Sequence, residues 1–318
     1  MSIAAKTIVA TGASSGLGFE VVKQLLQQTQ PYNFILGVRD ATLSKAAYDA
    51  LQYDAGTHSV TILPLELSDL RGVRSFAQQA LEKLGEEKLD YLMLNAAISK
   101  GVAPVGPHGS KWCEAYIVNH LSQHYLIHLL RSKLTASRSR IVFVSSGAVR
   151  DHHENLRTLD SPNFPRLELT THLAKLDTSL FAGSGANSHV VYPSTKFTQF
   201  LGTHYWRRQL KDTGCTVVAV APGFIPLTRL SRHTDLKLSM DMPNARTVED
   251  GAQFILAGFT RDDLPADPEQ ILLYTGEWLP KDVYSMSLDT ELQDKWCPSK
   301  DEIEKEAGLS SGEGTKLF

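Results

Sequence analysis

Residues 11–18 read Thr-Gly-Ala-Ser-Ser-Gly-Leu-Gly, directly after the apolar segment Lys6–Thr11 and directly before residues with helical periodicity. Glycine allows a tight turn and a close approach of the backbone to a phosphate. The N-terminus of the following helix offers free N–H groups and a positive dipole end. This strand, turn and helix therefore predict a site for the pyrophosphate of a dinucleotide. The predicted contacts are Gly12, Ser14, Ser15, Gly16, Leu17 and Gly18. Because the spacing differs from Gly-x-Gly-x-x-Gly, a glycine-rich turn without a ligand stays an alternative.

The rest of the chain alternates short apolar runs with amphipathic helices. This alternation is typical of right-handed β-α-β crossovers and of a parallel sheet covered on both faces. Apolar runs predict strands at Lys6–Thr11, Phe34–Val38, Val60–Leu65, Leu89–Leu94, Ile141–Val144, Val217–Ala221 and Ile271–Tyr274. Helical periodicity predicts helices at about Leu17–Gln28, Leu70–Leu84, Trp112–Leu134, Pro193–Lys211 and Val248–Phe259. The sequence thus predicts an α/β fold with a doubly wound parallel sheet of about seven strands, whose ligands bind beyond the carboxyl ends of the strands.

The length and composition fit one domain. The 318 residues are 42% hydrophobic, and no linker, repeat or low-complexity tract interrupts them before the last dozen. We expect a single domain over residues 1–309, with a substrate-side insertion at 147–191 and a C-terminal extension at 276–309. The tail at 310–318 has a composition typical of disorder.

The net charge, the cysteine content and the lengths of the apolar runs bear on the partners and the location of the protein. The 32 basic and 35 acidic residues give a formal charge of −3, so the chain as a whole does not attract nucleic acid. Three widely separated cysteines suggest a reducing compartment. The first strand begins too early for a signal peptide, and no apolar run approaches the roughly 20 residues of a transmembrane helix. We expect a cytoplasmic protein, without a transmembrane segment, that binds a small-molecule substrate and no nucleic acid.

The end of the second predicted strand bears on the choice of cofactor. An acid at this point accepts hydrogen bonds from the adenosine ribose and favours NAD. The chain has Gly37-Val38-Arg39 instead, and an arginine suits a 2′-phosphate through charge-assisted hydrogen bonds. Arg39 therefore predicts a preference for NADP(H). Asp40 leaves NAD(H) open, and a solvated surface charge is the other interpretation of Arg39.

Tyr192 and Lys196 stand four residues apart in Tyr-Pro-Ser-Thr-Lys. A free tyrosine titrates near pH 10, too high for efficient proton exchange at neutral pH. A lysine one helical turn away can stabilise the phenolate and lower the tyrosine pKa. The pair therefore predicts an acid–base tyrosine. A tyrosine and a lysine at this spacing are more often an ordinary surface pair, so the prediction depends on the other motifs.

Several motifs follow one another in a characteristic order. They are Thr11–Gly18, Asn95-Ala96-Ala97, Asn119, Ser146, Tyr192-x-x-x-Lys196 and Pro222-Gly223. Over about residues 5–275 they resemble the short-chain dehydrogenase/reductase superfamily. The stretch Val118–Leu121 and the long gap before Tyr192 look like its retinol-dehydrogenase and protochlorophyllide-reductase branch. The resemblance implies a Rossmann-like fold, a seven-stranded sheet and NAD(P)(H) as cofactor.

The resemblance also implies roles for the matching residues. Tyr192 would exchange a proton with the substrate oxygen, Ser146 would hydrogen-bond that oxygen, and Lys196 would bind the nicotinamide ribose. Asn119 would hold a water that relays protons through Lys196. The implied cofactor contacts beyond the glycine turn and Arg39 are Glu66, Leu67, Asn95, Ala96, Tyr192, Lys196, Pro222, Gly223, Ile225 and Thr228. Asn95 has a structural alternative, in which it ties the fourth strand to its neighbour.

These motifs predict an NADP(H)-dependent oxidoreductase that transfers hydride to or from a carbonyl, an alcohol or an activated C=C bond. Phe224, Leu227 and Leu230 are predicted to form an apolar wall for a medium-to-large substrate, and the insertion at 147–191 is predicted to shape substrate choice. A non-redox or cofactor-sensing dinucleotide-binding protein on the same fold is the alternative. A peripheral membrane or scaffold protein is a third hypothesis, which no basic amphipathic helix supports.

His120, His124 and His128 share one face of a predicted helix. The spacing suits a metal, but no carboxylate or cysteine nearby completes a site. We therefore predict no metal and assign these histidines to packing or to a subunit interface. A homo-oligomer through the helices at 112–134 and 193–211 is the matching prediction. The C-terminal stretch Trp278–Leu309 is predicted to cover the ligand cleft.

Overall fold

A computed structural model describes residues 3–149, 185–234 and 237–309. These ranges contain one sheet with the strand order β3-β2-β1-β4-β5-β6-β7-β8. The strands are β1 (Lys6–Thr11), β2 (Tyr32–Val38), β3 (Ser59–Pro64), β4 (Tyr91–Leu94), β5 (Arg140–Val144), β6 (Thr216–Ala221), β7 (Leu272–Tyr274) and β8 (Glu277–Trp278). Neighbouring strands are parallel, except that β7 and β8 are antiparallel. The predicted doubly wound parallel sheet is confirmed, and its order reverses between β1 and β4.

Helices cover both faces of the sheet. They are α1 (Gly16–Leu25), α2 (Ala41–Asp49), α3 (Leu70–Leu84), α4 (Glu114–Tyr116), a π-helical turn (Ile117–Leu121), α5 (Ser122–Ser137), α6 (Ser188–Gln209), α7 (Val248–Thr260), α8 (Thr290–Trp296) and α9 (Lys300–Glu306). One apolar cluster joins the sheet to α1, α2 and α7, and a second joins its other face to α3, α5 and α6. The central strands are apolar on both faces because helices cover both.

Helix α2, strand β8 and helix α8 lie where the sequence predicted no element. Helix α2 begins behind Asp40, whose Oδ1 accepts a hydrogen bond from the Leu43 N–H at 2.9 Å. Strand β8 makes the sheet eight-stranded rather than seven-stranded. It turns back from β7 through Thr275 and Gly276, which both have positive φ angles. With only two residues, β8 is too short to show a periodicity in the sequence.

Helix α6 begins earlier than predicted. The sequence suggested Pro193 as its first residue, but the helix starts at Ser188 and continues through Pro193. The Asn187 side chain caps it, because its Oδ1 accepts hydrogen bonds from the N–H groups of His189 and Val190. An amide cap at the right position thus overrides the preference of proline for a first turn.

The C-terminal extension packs on the outer face of α5 and α6. The Trp296 carbonyl accepts a hydrogen bond from His120 Nε2 at 2.7 Å, and the Pro298 carbonyl accepts one from His124 Nε2 at 2.8 Å. The other ring nitrogen of His124 accepts from Trp206 Nε1 at 2.8 Å. The histidine face of α5 therefore packs against the same chain. A homo-oligomer through these helices stays a prediction, but this face is covered by α8 and α9.

The remaining expectations concern membranes, metals and the predicted insertion. No described helix combines the length and the apolar character needed to cross a bilayer. Within the described ranges, no three His, Cys, Asp or Glu side chains converge as a metal site would require. Most of the predicted insertion at 147–191 and the tail at 310–318 lie outside the described residues.

Candidate active site

The turn between β1 and α1 packs tightly against the loop that follows β4. Gly12 and Gly16 have φ angles of +67° and +57°, in the left-handed region that favours glycine. A Cβ atom on Gly12 would lie 2.7 Å from the Cα of Ala96. A Cβ on Gly18 would lie 2.4 Å from the Gly12 carbonyl oxygen. Hydrogen is therefore the only side chain that fits at Gly12 and Gly18, and the crevice between β1 and β4 begins here.

Asn95 ties this turn to β4. Its Nδ2 donates to the carbonyl oxygens of Gly12 at 2.9 Å and Thr11 at 3.2 Å. The backbone N–H groups of Asn95 and Ala96 donate in turn to Thr11 Oγ1. These bonds show the structural tie expected of Asn95, and its contact with a cofactor stays a prediction. By joining the two strand ends, Asn95 shapes the crevice in which ligands of doubly wound sheets bind.

Tyr48 on α2 supports the turn from the other side. Its buried hydroxyl donates to the Ala13 carbonyl at 2.7 Å, and its ring packs against Phe19 with a centroid distance of 4.9 Å. No sequence motif marks Tyr48, which lies on the unpredicted helix α2. The capping residue Asp40 was the available signal.

The N-terminus of α1 suits a phosphate group. Ser15 is its N-cap residue, but the Ser15 side chain makes no capping hydrogen bond, and no acidic residue lies in the first turn. The first-turn N–H groups are therefore not capped by a side chain. Ser14 is exposed beside them. Leu17 packs towards α7, since its Cδ2 would lie 2.7 Å from a Cβ on Gly251. Leu17 would therefore contribute its backbone to a cofactor.

Arg39 and Glu66 follow β2 and β3 at the same edge of the sheet. Arg39 is exposed, whereas the neighbouring Asp40 carboxylate is engaged as the cap of α2. Glu66 Oε1 accepts hydrogen bonds from the N–H and the hydroxyl of Ser68, both at 2.9 Å. Leu67 is buried, and its carbonyl accepts from the hydroxyl of Ser122 on α5. Arg39 is thus an exposed cation at this edge that forms no ion pair with the described residues.

Asn119 lies in the π-helical turn before α5 and is fully buried. Its Oδ1 accepts from the Ile98 N–H at 2.8 Å, and its Nδ2 donates to the Ile98 carbonyl at 2.9 Å. The same Nδ2 donates to Thr195 Oγ1 at 2.9 Å. Asn119 therefore connects the loop after β4 to α6, next to Lys196. A π-helical turn of this kind often occurs at a functional site.

Tyr192 is half-buried on the second turn of α6, and Ser146 lies just beyond the end of β5. Burial raises the pKa of Tyr192 to about 12, and the nearby Ser146 side chain lowers it in part. The structure therefore brings Tyr192 and Ser146 together. The sequence predicted a lowered tyrosine pKa, and this is wrong for the structure because burial is the largest effect.

Lys196 is 2% exposed, one turn after Tyr192. Its Nζ donates to the Val144 carbonyl at 2.8 Å and to Gln199 Oε1 at 3.1 Å. Burial lowers the pKa of Lys196 to about 7. The lysine therefore changes charge near neutral pH, and two protein oxygens fix its position. No sequence motif marks Gln199, although it lies on the same helical face three residues after Lys196.

The loop after β6 begins with Pro222 and Gly223 at the carboxyl edge of the sheet. Pro222 is buried, and Gly223 has a φ angle of +90°. Phe224 is half-buried and forms an isolated parallel bridge with Ala245. The Phe224 carbonyl also accepts from the Arg246 N–H at 2.9 Å. These contacts hold the start of the loop in a fixed position.

The same loop then approaches the glycine turn. Ile225 is buried, and its carbonyl accepts from Thr228 Oγ1 at 3.3 Å. The Thr228 side chain lies 3.7 Å from the position of a Cβ on Gly16. Thr228 thus lies beside the predicted phosphate site. Of the predicted substrate wall, Leu227 is 65% exposed and Leu230 is half-buried.

Comparison with known proteins identifies the family. The short chain dehydrogenase family profile matches residues 6–157. A short-chain dehydrogenase/reductase of Pestalotiopsis microspora is 56% identical over 301 residues, which cover 94% of this chain and 98% of the relative. The chain belongs to the short-chain dehydrogenase/reductase family. It is therefore an oxidoreductase, as its sequence motifs predicted.

One further sequence relative and one solved structure are similar to this short-chain dehydrogenase/reductase. Human retinol dehydrogenase 11 is 31% identical over 230 residues, which cover 72% of this chain and 64% of the relative. This is consistent with the retinol-dehydrogenase side of the predicted branch. An NADPH-bound carbonyl reductase from chicken fatty liver has the same fold, with a TM-score of 0.60, 18% identity and coverage of 88% and 95% of the two chains.

Proposed function

We propose that this short-chain dehydrogenase/reductase is an NADP(H)-dependent enzyme that transfers hydride between the nicotinamide and a carbonyl or alcohol, or an activated C=C bond. The observation that carries the proposal is the buried Lys196, whose Nζ donates to the Val144 carbonyl at 2.8 Å, one helical turn from Tyr192 and beside the end of β5 where Ser146 lies. An acid–base group, an oxygen-binding hydroxyl and a buried cation close together are the groups that hydride transfer to a polarised double bond requires.

The preference for NADP(H) is supported by charges at the adenosine edge. Arg39 is exposed there, and Asp40, the acid that would favour NAD(H), is engaged as the cap of α2. The uncapped N-terminus of α1 suits the pyrophosphate. The solved structure of the chicken carbonyl reductase has NADPH bound. These features together favour the phosphorylated cofactor.

The roles of the side chains follow from their chemistry. NADPH, when bound, supplies the hydride. The Tyr192 hydroxyl, protonated at neutral pH because its pKa is about 12, donates its proton to the substrate atom that becomes negative. Ser146 donates a hydrogen bond to the same substrate oxygen. Lys196 supplies a nearby donor that can bind ribose hydroxyls and restore the proton to Tyr192. Asn119 holds the lysine helix against the loop after β4.

The substrate class rests on the loop after β6. Leu227 is 65% exposed and Leu230 is half-buried, so apolar surface is available on this loop. Burying such side chains against a ligand is favourable by about 25 cal/mol for each Å² of apolar surface. We therefore propose an apolar, medium-to-large substrate. The predicted contribution of the insertion to substrate choice concerns residues outside the described ranges.

One set of measurements tests the proposed function. The protein is titrated with NADPH and NADH, and ketones, enals and quinones are screened for oxidation of NADPH at 340 nm. Tyr192→Phe should lower turnover by about 10²- to 10⁴-fold and change NADPH affinity little, because general acid catalysis is worth this much. Tyr205→Phe on the same helix is the matched control and should keep turnover.

Three outcomes would contradict the proposal. Full turnover in Tyr192→Phe would remove the tyrosine from the mechanism. Tight NADPH binding without turnover of any substrate in the panel would favour the cofactor-sensing alternative. Arg39→Ala should remove the preference for NADPH over NADH, and a parent protein that binds NADH more tightly would show that the cofactor assignment is wrong.

A further inference from the structure

The segment Thr228–Thr234, here called the strap, connects the two rims of the crevice between β1 and β4. At one end, the Thr228 side chain lies against Gly16 on the glycine turn. Two residues later, the Leu230 carbonyl accepts a hydrogen bond from the Ser99 N–H at 3.3 Å, in the loop after β4. Because β1 and β4 are the strands between which the sheet order reverses, this crevice is the ligand site of the fold. The strap therefore crosses the mouth of the cofactor site.

The strap carries two arginines in a short helical turn. Arg229 begins the 3-10 turn Arg229–Ser231, and Arg232 follows it directly. The Arg229 carbonyl accepts from the backbone N–H of Arg232 at 3.3 Å and from Arg232 Nη1 at 2.8 Å. These two bonds fix the direction of the Arg232 side chain and leave its other N–H donors available. Both arginines are exposed.

Arg232 lies near enough to Arg39 and Arg229 for their positive charges to act on it. Burial lowers the pKa of Arg232, and the charges of Arg39 and Arg229 lower it further. Glu114 is the acid that acts on Arg232, and its carboxylate already forms a 2.5 Å ion pair with Lys100. Among the described residues, neither Arg39 nor Arg232 forms an ion pair. Cations gathered in this way repel one another until an anion binds between them.

We propose that Arg232 binds the 2′-phosphate of NADP(H) together with Arg39. The bound cofactor then holds the strap in place across the cofactor site. This proposal rests on the NADP(H) dependence proposed above and adds a second phosphate ligand from a different part of the chain. A guanidinium presents a planar set of donors that matches the phosphate oxygens. Two arginines from opposite sides satisfy more of these oxygens than one.

The position of the strap links cofactor choice to the substrate wall. Leu227 directly precedes the strap, and Leu230 lies within it. When Arg232 binds the phosphate, the backbone from Thr228 to Arg232 is held at both ends. NADP(H) should therefore order the apolar wall. NAD(H) lacks the 2′-phosphate, so with NAD(H) bound only the other contacts of the strap should hold it in place.

Binding measurements on the full chain test the proposal without turnover. Titration calorimetry is carried out with NADPH, NADH, 2′-AMP, 5′-AMP and inorganic phosphate on the parent, Arg232→Gln and Arg39→Gln. Arg232→Gln should weaken NADPH and 2′-AMP by about 10- to 100-fold, the effect of losing charge-assisted hydrogen bonds, and should change NADH by less than about twofold. Arg232→Lys should recover part of the loss. Lys83→Gln, an exposed charge at the far end of α3, is the control for net charge.

A second readout follows the strap itself. Trypsin can cleave after Arg229, and this site is retained in Arg232→Gln. NADPH and 2′-AMP should slow cleavage in the parent, and NADH and inorganic phosphate should not. In Arg232→Gln the protection by NADPH should be lost, while circular dichroism shows the same fold.

The outcomes separate this proposal from the proposed function. If Arg39→Gln selectively weakens NADPH and Arg232→Gln does not, the cofactor assignment stands and the role of Arg232 is refuted. If Arg232→Gln weakens NADPH and NADH equally, Arg232 supports the strap and does not bind the phosphate. If inorganic phosphate protects the strap as well as 2′-AMP does, the site binds free anions and the proposal fails. If the parent binds neither dinucleotide, both proposals fall.

Discussion

Lys196 Nζ donates a hydrogen bond of 3.1 Å to Gln199 Oε1, in the buried layer between α6 and β5. The lysine has one other acceptor, the Val144 carbonyl at 2.8 Å. Burial lowers the pKa of Lys196 to about 7, so both its charged and its neutral form are accessible near neutral pH. An acceptor hydrogen-bonded to the ammonium favours the charged form. Gln199 is therefore in a position to set the pH at which Lys196 loses its proton.

Changing Gln199 should shift the pH profile of the enzyme in a direction set by the substitution. Gln199→Leu removes one acceptor of the ammonium and should lower the Lys196 pKa, so that the limb of kcat/KM assigned to this lysine moves down by roughly one pH unit. Gln199→Glu places a carboxylate beside the ammonium and should move the same limb upward. The measurement is kcat/KM between pH 5 and pH 10 with NADPH saturating. Equal profiles in both variants would show that Gln199 only packs.

Lys196→Met should stabilise the protein more at low pH than at high pH. The lysine pKa falls from 10.5 to about 7 on folding, so between these values the unfolded chain binds a proton that the folded chain does not. Stability from this group therefore rises with pH above 7 and is lowest below it. Relative to the parent, Lys196→Met should gain roughly 2–3 kcal/mol more at pH 6 than at pH 9.

The comparison at two pH values isolates the charge of Lys196. Loss of the donor to Val144 and Gln199 costs the same at both values and cancels. Denaturant unfolding gives the two free energies of unfolding, and Lys211→Met, at an exposed site beyond α6, is the control. A gain that is equal at pH 6 and pH 9 would show that Lys196 is not deprotonated near neutrality in the folded protein.

The sequence predicted the sheet and its turn well for a physical reason. Strands buried on both faces are continuous apolar runs, and the glycines of the first turn are fixed by contacts such as that of Gly18 with the Gly12 carbonyl. The signal for both is local. The start of α6 was predicted wrongly at Pro193 because the cap, Asn187, lies in a polar stretch without periodicity. Strand β8 exists through its pairing with β7, which no local pattern encodes.

Sequence motifs mark the residues proposed for the candidate site, but they do not predict its electrostatics. Asn119, Tyr192 and Lys196 carry motifs, but the raised pKa of Tyr192 arises from burial, which depends on the packing of the whole layer. Tyr48 and Gln199 act through hydrogen bonds to Ala13 and Lys196, and neither stands in a motif. Supporting residues of this kind become visible only when distant segments meet.

Tyr48→Phe should weaken cofactor binding without removing it. The Tyr48 hydroxyl donates to the Ala13 carbonyl in the glycine turn, and both groups are buried. Removing the donor leaves a buried carbonyl without this partner, which costs about 1–3 kcal/mol shared between stability and the order of the turn. We expect NADPH and NADH to weaken by a similar factor, roughly 3- to 10-fold, in fluorescence titrations.

Tyr53→Phe provides the matched control for Tyr48→Phe. Tyr53 is half-buried beyond the end of α2, and its ring contacts His58 rather than the glycine turn. The affinity of the Tyr53→Phe variant for NADPH and for NADH should equal that of the parent. A selective loss of NADPH binding in Tyr48→Phe would assign the residue to the 2′-phosphate and contradict its role in the turn.

Acid should destabilise the protein through its buried histidines. Burial lowers the pKa of His120 and His128 to about 4 and that of His204 to about 3, all below the ordinary value of 6.5. As the pH falls below 6.5, the unfolded chain takes up protons that the folded chain refuses, so stability is present above 6.5 and is lost towards the folded pKa values. Each histidine contributes a slope of about 1.4 kcal/mol per pH unit in this window.

His204→Gln should therefore reduce the slope of the free energy of unfolding between pH 6 and pH 4.5 by about this amount, whereas Tyr205→Phe, its neighbour on α6, should not. Urea unfolding at several pH values measures both slopes, and an unchanged slope in His204→Gln would mean that His204 is protonated in the folded protein.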